Sequence, residues 1–376
     1  MSNIKPYKSH IPYTKHQITN EDIKSVEKIL KSNFLTTGPQ NNIFEENFSR
    51  FIGTKYAATC ANGTAALHLL AMNVKLTSKS KSNFITSPLT FVADANCARY
   101  VGASLKFADI DRETWNMSID STIELIDKNT VAIVITHYAG LPADIHKLKK
   151  ICKENNIFLI EDACHAPGAR LNNKVVGSFG DASIYSLHPA KHIAAGEGGV
   201  ICSNSKSLIE EVKILRNHGL DSWQKRKGLL YDISKMGFNL RMSDIEAGLA
   251  NSQLKRIEQS LNKRQKIADR YYKNLDTDFI EMQYVDNKRT HAYHLFPILI
   301  KKPYTREGFI NHMRELNIGV TIHYPLINEM SAFKKFPGKT PIAKDVGSRI
   351  VSIPMYPNLS VKEQEFVIEA VNSYFK

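Results

Sequence analysis

Short apolar segments alternate with helix-like segments over much of the chain, and this alternation limits the folds that the chain can adopt. The strand-like segments lie at residues 84–87, 105–110, 131–137, 157–161, 182–186 and 200–203. The helix-like segments between them lie at residues 64–72, 91–99, 118–126, 145–154 and 207–216. Such alternation is typical of a mainly parallel sheet that helices cover on both faces. The sequence therefore predicts an α/β fold, in which ligands bind at the carboxyl ends of the strands.

The pattern changes near residue 240. Ser243-Asp244-Ile245-Glu246 forms a capping box, which marks the start of a helix, and a helix-like stretch follows to about Leu275. The later segments are strand-like or helix-like, at residues 293–300, 306–316, 320–323 and 361–374.

This change in pattern predicts two domains. We expect a large ligand-binding domain over residues 15–242 and a smaller α+β domain over residues 243–376. Residues 1–14 are expected to pack with the smaller domain. A chain of 376 residues is long enough for both domains to bury cores of their own.

The charge balance is basic, but the basic residues are scattered. Lysine and arginine outnumber aspartate and glutamate by 50 to 37, which gives a formal net charge of +13. Many of these residues lie on helix-like segments such as 147–153 and 255–266, which indicates solvated helix faces rather than a nucleic-acid surface. The positive charge could also attract an anionic substrate. We therefore expect no nucleic-acid partner.

Cysteine usage and hydropathy indicate the compartment. The five cysteines form no CxxC pair, as is usual in a reducing environment. Residues 1–16 are polar and lack the apolar core of a signal peptide. No apolar run approaches the length of a membrane span. We expect a cytoplasmic protein with no membrane partner.

Two residues near predicted strand ends point to a cofactor. The apolar run 157–160 ends in Glu161-Asp162, and Lys191 follows the strand at 182–186 in a loop of small residues. A lysine amine can form a Schiff base with the aldehyde of pyridoxal 5'-phosphate (PLP), and a carboxylate can pair with its pyridinium nitrogen. The alternatives are a surface lysine and a helix N-cap aspartate. The glycine-rich loop after Lys191 lets the backbone approach a ligand closely, which favours the PLP site.

Other residues could complete such a site. Gly63 and Thr64 open a helix whose N-terminus could bind a phosphate, although a small-residue helix start is common. Phe91 could stack on a pyridine ring or be an ordinary core residue. His165 could reach the ring hydroxyl of the cofactor or be a half-buried histidine.

Metal and nucleophile chemistry are disfavoured. The histidines near predicted strand ends lack the spacing of a metal site, so we expect no metal; they are His137, His165, His188 and His192. Cys164 and His165 are sequence neighbours, which rarely face each other as nucleophile and base.

The motifs in combination resemble the DegT-type nucleotide-sugar aminotransferases, PLP enzymes of fold type I. The matching segments span nearly the whole chain, at residues 34–39, 62–67, 161–165, 186–199, 216–219, 237–244 and 319–324. Two positions depart from the usual pattern: Leu187 stands where phenylalanine is frequent, and Asn62 where serine is usual. Neither departure removes a group that the chemistry needs.

The resemblance implies a role for each matched residue. Lys191 is expected to hold PLP and to move the proton, Asp162 to bind the ring nitrogen and His165 the ring hydroxyl. The phosphate is expected to lie against Gly63, Thr64 and Ser186. The resemblance implies that Asn239 reaches the cofactor phosphate of the neighbouring subunit, so a homodimer is expected. It also implies that His188 and His323 contact the sugar substrate.

The resemblance also implies the reaction, with alternatives. Residues 11–13, 109–111 and 137–140 look most like enzymes that use L-glutamate to aminate C4 of UDP-linked 4-keto sugars for bacterial surface glycans. The sugar could be a 6-deoxy-N-acetylhexosamine or a pentose of the arabinose type. A family branch with histidine in place of the lysine dehydrates sugars, and His192 lies one position after Lys191. A regulator that senses sugars without catalysis is the remaining alternative.

Overall fold

The computed structural model describes residues 4–76, 81–220, 233 and 235–376. The helices are α1 (Asn20–Leu30), α2 (Pro39–Ile52), α3 (Gly63–Asn73), α4 (Ala93–Tyr100), α5 (Ile119–Leu125), α6 (Ile145–Glu154), α7 (Lys206–Leu215), α8 (Asp244–Leu254), α9 (Ile257–Asn274), α10 (Arg306–Glu315), α11 (Pro341–Arg349) and α12 (Val361–Ser373). The strands are β1 (Tyr56–Cys60), β2 (Asn83–Thr86), β3 (Ser104–Phe107), β4 (Thr130–Thr136), β5 (Phe158–Asp162), β6 (Arg170–Leu171), β7 (Lys174–Val175), β8 (Ala182–Ser186), β9 (Gly199–Ser203), β10 (Ile280–Met282), β11 (Arg289–Thr290), β12 (Phe296–Ile300) and β13 (Ile350–Ile353).

Seven strands form a mainly parallel central sheet in the order β1-β9-β8-β5-β4-β2-β3. The pairs β8–β5, β5–β4, β4–β2 and β2–β3 are parallel, whereas β9 runs antiparallel to both β1 and β8. Helices cover both faces, and the central strands are buried along almost their whole length. This burial explains their continuous apolar sequences, because parallel strands lie between two helix layers.

The helices that cover the sheet are amphipathic. In α6, Ile145, Leu148 and Cys152 are buried at helical spacing, while the lysines between them face solvent. The buried aliphatic residues of α3 pack on the same side of the sheet as those of β2, β4 and β8. The sheet thereby holds the ends of β5 and β8 in fixed positions, and those ends carry Asp162 and Ser186.

The C-terminal part has a sheet and a core of its own. The antiparallel sheet β10-β12-β13 packs with α9, α10 and α12 around Phe296, Phe309 and Val367. Ile11 belongs to this core and bridges to Ile318. The expected packing of residues 1–14 with the smaller domain stays a prediction.

The expected domain boundary at residue 242 stays a prediction. The packing of α8 bears on it, because Ala247 and Ala250 of α8 lie in one apolar cluster with Phe44 and Phe48 of α2. The short strand β11 also pairs with β6 of the N-terminal part. We propose that the boundary follows α8 rather than precedes it.

Two predicted elements need correction. The stretch from Ser243 to Leu275 is two helices, because Arg256 leaves the helical conformation (φ −116°, ψ 15°) and its guanidinium pairs with Asp22 at 2.6 Å. Residues 320–323 form no strand and share only the isolated bridge Thr321–Ser352. The strands β1 and β13 were not predicted.

The capping box at Ser243 is present as predicted, since its hydroxyl accepts a hydrogen bond from Glu246 N–H and the Glu246 carboxylate accepts one from Ser243 N–H. Among the helices in the described ranges, none combines the length and the apolar character that crossing a bilayer requires.

Candidate active site

The N-terminus of α3 and the end of β8 form a small polar cradle. Asn62 caps the helix, since its Oδ1 accepts a hydrogen bond from Ala65 N–H at 2.8 Å. The first N–H groups of a helix have no partner inside it, so those of Gly63 and Thr64 are available to an anion. A Cβ on Gly63 would lie 3.1 Å from Ser186 Cβ and 3.6 Å from Ser186 Oγ. Glycine therefore lets the start of α3 lie close against the end of β8, so that the helix N–H groups and the Ser186 hydroxyl border one space.

Asp162 lies at the carboxyl end of β5 and is buried, with 6% of its surface exposed. Its Oδ1 accepts a hydrogen bond from Cys164 N–H at 2.8 Å. The carboxyl of Asp94, from the first turn of α4, lies within hydrogen-bonding reach of it. A buried carboxylate is costly without further partners, and a ligand with a protonated nitrogen would supply one.

Lys191 lies in the loop between β8 and β9 and reaches the same space. Its Nζ lies 3.3 Å from His294 Nε2. Burial lowers the pKa of Lys191, and the opposing influence of Cys164, Asp162 and Asp94 does not cancel this effect. A lowered pKa raises the fraction of neutral amine, which is the form that attacks an aldehyde.

His165 is held by one ring nitrogen only. Its Nε2 lies 3.0 Å from the hydroxyl of Tyr324. Its Nδ1 is buried and has no hydrogen-bond partner in the described part of the chain. Burial, helped by the charge of Lys191, holds the pKa of His165 well below its usual range, so the ring is neutral. A neutral imidazole with one unpaired nitrogen fits a partner such as a ring hydroxyl.

A cavity of about 440 Å³ brings these groups together. All but one of the predicted site residues line it: Gly63, Thr64, Phe91, Asp162, His165, Ser186, His188, Lys191 and His323. Phe91 is 53% exposed, so its ring is not part of the core. The exception is Asn239, which is exposed and does not line the cavity formed by the described residues. Its role across a subunit interface stays a prediction.

The structure separates Lys191 from its neighbour His192. His192 is 8% exposed and its Nε2–H donates to the carbonyl oxygen of Ala292 at 2.8 Å. It does not line the cavity, whereas Lys191 does. The dehydratase alternative required a histidine in the position of the lysine, and the geometry removes that possibility.

Five residues of the site were missed by the sequence analysis. Tyr13, Thr90, His294 and Tyr324 line the cavity, and Asp94 lies behind it. Tyr324 was inside a matched segment but was not singled out. Asp94 follows Phe91 by three residues, which is one helical turn, and this spacing was the available signal. His294 carries no local signal, because its contact with Lys191 spans 103 residues of sequence.

The residues present fit PLP. The cradle at Gly63 suits its phosphate, the unpaired Nδ1 of His165 suits its ring hydroxyl and the buried carboxylate of Asp162 suits its ring nitrogen. Lys191 supplies the amine. In the described ranges, no group of three or more histidine, cysteine, aspartate or glutamate side chains is arranged to hold a metal ion.

Comparison with known proteins matches this chain to one family over most of its length. The model of the DegT/DnrJ/EryC1/StrS aminotransferase family matches residues 16–372. A relative from Campylobacter jejuni, named UDP-4-amino-4,6-dideoxy-N-acetyl-beta-L-altrosamine transaminase, is 33% identical over 96% of this chain and 97% of its own.

Solved structures agree with the fold. PseC of Helicobacter pylori, described as an aminotransferase of pseudoaminic acid biosynthesis, is 29% identical with a TM-score of 0.92, over 98% of this chain and 99% of its own. A putative sugar aminotransferase from Streptococcus pneumoniae in its PLP-form is 25% identical with a TM-score of 0.89, over 97% of this chain and 98% of its own. The predicted α/β fold of the PLP-dependent transferases is thereby confirmed.

Proposed function

Since the chain belongs to the DegT/DnrJ/EryC1/StrS aminotransferase family, we propose that it transfers an amino group from L-glutamate to C4 of a UDP-linked 4-keto-6-deoxy-N-acetylhexosamine. Family membership confirms the predicted nucleotide-sugar aminotransferase activity in glycan biosynthesis and the predicted PLP cofactor. The name of the Campylobacter jejuni relative supports the choice of sugar and nucleotide. The single observation that carries the chemistry is the joint placement of Lys191 and Asp162 in one cavity.

Lys191 is proposed to move the proton. When bound, PLP supplies an aldehyde for the amine and a ring that accepts electrons from the reacting carbon. Lys191 Nζ is the basic atom that can carry a proton between the carbon of the amino donor and the cofactor, because burial favours its neutral form. His294 Nε2, 3.3 Å away, can accept a hydrogen bond from the amine and hold it in place.

Asp162 and His165 are proposed to orient the ring. The carboxylate of Asp162 keeps the ring nitrogen protonated, which a buried anion does well because few water molecules screen it. His165 holds the ring hydroxyl through Nδ1, while its Nε2 is fixed by the Tyr324 hydroxyl. The Tyr324 contact therefore sets the direction in which His165 points.

The sugar is proposed to enter over Phe91. Phe91, His188 and His323 line the same cavity, and the exposed ring of Phe91 would hold the cofactor by stacking on its ring. The imidazole of His323 is fixed by the Ser352 hydroxyl, 3.0 Å from its Nδ1, and burial lowers its pKa to about 3. His323 is therefore a neutral group that can bind hydroxyl or carbonyl oxygens of the substrate.

We propose that the working unit is a homodimer. Apolar side chains are exposed along α1, α2 and the connection between them, with Phe34 at 52% and Leu35 at 49%. Of these exposed side chains, Phe34 and Ile43 border a groove of about 820 Å³ between α1, α2 and α8. Exposed apolar clusters of this kind mark contact surfaces. Sedimentation velocity should give a dimer that Leu35→Glu weakens; a wild-type monomer at micromolar concentration would contradict the proposal.

We also propose that the protein is located in the cytoplasm. All five cysteines are buried and none forms a disulfide, which supports a reducing cytoplasm. Cell fractionation should recover the protein and its activity in the cytoplasmic fraction.

A product assay tests the function. The purified protein is incubated with L-glutamate and a panel of UDP- and GDP-linked keto sugars, and the products are identified by mass spectrometry and NMR. We expect 2-oxoglutarate and a 4-amino sugar from the UDP-linked 6-deoxy-N-acetylhexosamine, and no product with Lys191→Ala. Turnover of a GDP-linked sugar or of a UDP-linked pentose in its place would overturn the proposed substrate. No amino sugar from any member of the panel would count against the activity.

A further inference from the structure

A second carboxyl group lies behind Asp162. Asp94 is fully buried in the first turn of α4. Its Oδ2 is within hydrogen-bonding distance of two threonine hydroxyls, Thr90 at 2.8 Å and Thr136 at 2.5 Å. Thr136 is the β4 residue directly opposite Asp162 in the sheet. The strand register therefore brings the two aspartates together on one face of the sheet.

The other oxygen of Asp94 has no hydrogen-bond donor among the described residues. Oδ1 is buried and accepts no hydrogen bond from any of them, and the carboxyl of Asp162 lies within hydrogen-bonding reach of the Asp94 carboxyl. Two ionised carboxylates in contact inside a protein repel strongly, so one of them must carry a proton. A proton shared between the two carboxyls gives Oδ1 of Asp94 a hydrogen-bond partner and also removes the repulsion between Asp94 and Asp162.

The surroundings decide which carboxyl keeps the proton. Asp162 accepts a backbone N–H from Cys164 at 2.8 Å, lies at the cavity and interacts electrostatically with Lys191. Asp94 has only hydroxyl partners and lies deeper. Burial, together with the charge of Asp162, raises the pKa of Asp94 well above its usual range. Asp94 is therefore the member of the pair that carries the proton.

We propose that Asp94 is a positioning residue: a protonated carboxylic acid that donates a hydrogen bond to Asp162 and fixes this carboxylate for the ring nitrogen of PLP. The hydrogen bond leaves one full negative charge on the pair, and it orients the free lone pairs of Asp162 toward the cavity. The inference rests on the proposed role of Asp162. It predicts that a neutral donor of the same shape can replace Asp94, whereas a side chain without a donor cannot.

Infrared spectroscopy tests the protonation directly. The holoenzyme is prepared at neutral pH, and the difference spectrum between wild type and Asp94→Asn is recorded in the region of the carboxylic acid C=O stretch, above the amide I band. We expect a carboxylic acid band in wild type that Asp94→Asn removes. A wild-type spectrum without this band would overturn the inference.

The affinity for PLP tests the positioning. The dissociation constant of PLP is measured by absorbance titration of the apo forms of wild type, Asp94→Asn, Asp94→Ala, Asp94→Leu and Asp162→Asn. We expect Asp94→Asn to stay within about 3-fold of wild type, and Asp94→Ala to bind about 10-fold or more weakly, because it leaves a buried acceptor without its donor. Asp94→Leu has a similar shape without a donor and replaces the alanine variant if that variant does not fold.

The outcomes separate this inference from the proposed function. If Asp162→Asn loses PLP affinity while Asp94→Ala and Asp94→Leu keep it, the inference fails and the role of Asp162 stands. If Asp162→Asn binds PLP like wild type, the role of Asp162 fails and the inference fails with it. An Asp94→Asn variant that binds as weakly as Asp94→Ala, or that does not fold, also contradicts the inference, because a protonated carboxyl and an amide have nearly the same shape.

Discussion

Glu161 and Asp162 are neighbours at the end of β5, and their surroundings differ completely. Successive residues of a strand point to opposite faces of the sheet. Glu161 accepts hydrogen bonds from the N–H groups of Gly177, Phe179 and Gly180 at 2.6–2.7 Å. His137 adds a further contact at 3.1 Å. Asp162 has one backbone N–H and faces another carboxyl.

The electrostatics of the two acids follow from these contacts. Although burial opposes ionisation, the hydrogen bonds from His137, Gly180 and Gly177 lower the pKa of Glu161. Nδ1 of His137 accepts the N–H of Ala143 at 3.0 Å, so Nε2 carries the hydrogen that it donates to Glu161. The chain itself satisfies Glu161. It leaves Asp162 with capacity for a ligand, which distinguishes a structural acid from a functional one.

The strongest test of this difference is Asp162→Asn. We expect the transamination rate to fall about 10²–10³-fold, as when one preorganised electrostatic partner is removed. The apo protein should keep its free energy of unfolding within about 1 kcal/mol, since the amide oxygen of asparagine can still accept the N–H of Cys164. Steady-state kinetics and urea unfolding of the apo form measure the two effects. Wild-type activity in this variant would remove Asp162 from the reaction.

Glu161→Ala should instead lower the free energy of unfolding and leave the PLP site of the folded protein unchanged. Removing it leaves three backbone N–H groups and His137 without an acceptor, and breaking a buried network of this kind costs about 3–5 kcal/mol. The same urea experiment should show this loss, while the absorbance maximum of bound PLP stays unchanged in the folded fraction. A Glu161→Ala protein as stable as wild type would show that the two acids are not different in kind.

The cavity also makes the protein sensitive to acid. Burial holds the pKa values of several histidines well below 6.5, and those around the cavity are His165, His192, His294 and His323. Below pH 6.5 these histidines become protonated in the unfolded chain, whereas they stay neutral in the folded chain. Each such histidine therefore removes up to about 1.4 kcal/mol of stability per pH unit.

Urea unfolding at pH 7.5, 6.5 and 5.5 measures this effect. We expect the free energy of unfolding to be fully present above pH 6.5 and to fall as the pH drops below it. His192→Gln should reduce the slope, whereas His16→Gln, at an exposed position, should leave it unchanged. Equal slopes in both variants would contradict the assignment.

The smallest expected effect concerns the outer face of the cavity. Phe91→Leu removes a ring that is proposed to stack on PLP, and such contacts contribute about 0.5–1.5 kcal/mol, or roughly 2–12-fold in the dissociation constant. Tyr284→Leu is the matched control, because Tyr284 is similarly exposed at 56% but lies outside the cavity. If both variants bind PLP equally well, Phe91 does not stack on the cofactor.

The sequence predicted the parallel sheet well because its strands are buried on both faces and therefore continuously apolar. It missed β1, whose residues Tyr56–Cys60 are mostly small and carry no such signal. The break between α8 and α9 also has no local signal, because Arg256 and its neighbour Lys255 favour helix. The break coincides with an ion pair between Arg256 and Asp22, which are distant in sequence.

The position of each site residue in the fold explains whether the sequence could predict it. Lys191 and Asp162 stand at strand ends, where the fold class alone predicts a ligand. Asp94 and His294 contact residues far away in sequence. The spacing of Asp94 from Phe91 was its one local signal, whereas only the folded structure reveals His294. Asn239 was predicted by resemblance and lies outside the cavity of one chain, so its test requires the assembled dimer.

The most direct test of the central assignment is the identity of the residue that carries PLP. The holoenzyme is reduced with borohydride and digested, and the peptides are sequenced by mass spectrometry. We predict one phosphopyridoxyl adduct, on Lys191, that is absent from Lys191→Ala. An adduct on another lysine, or none with PLP in excess, would contradict the assignment of this cavity as the active site.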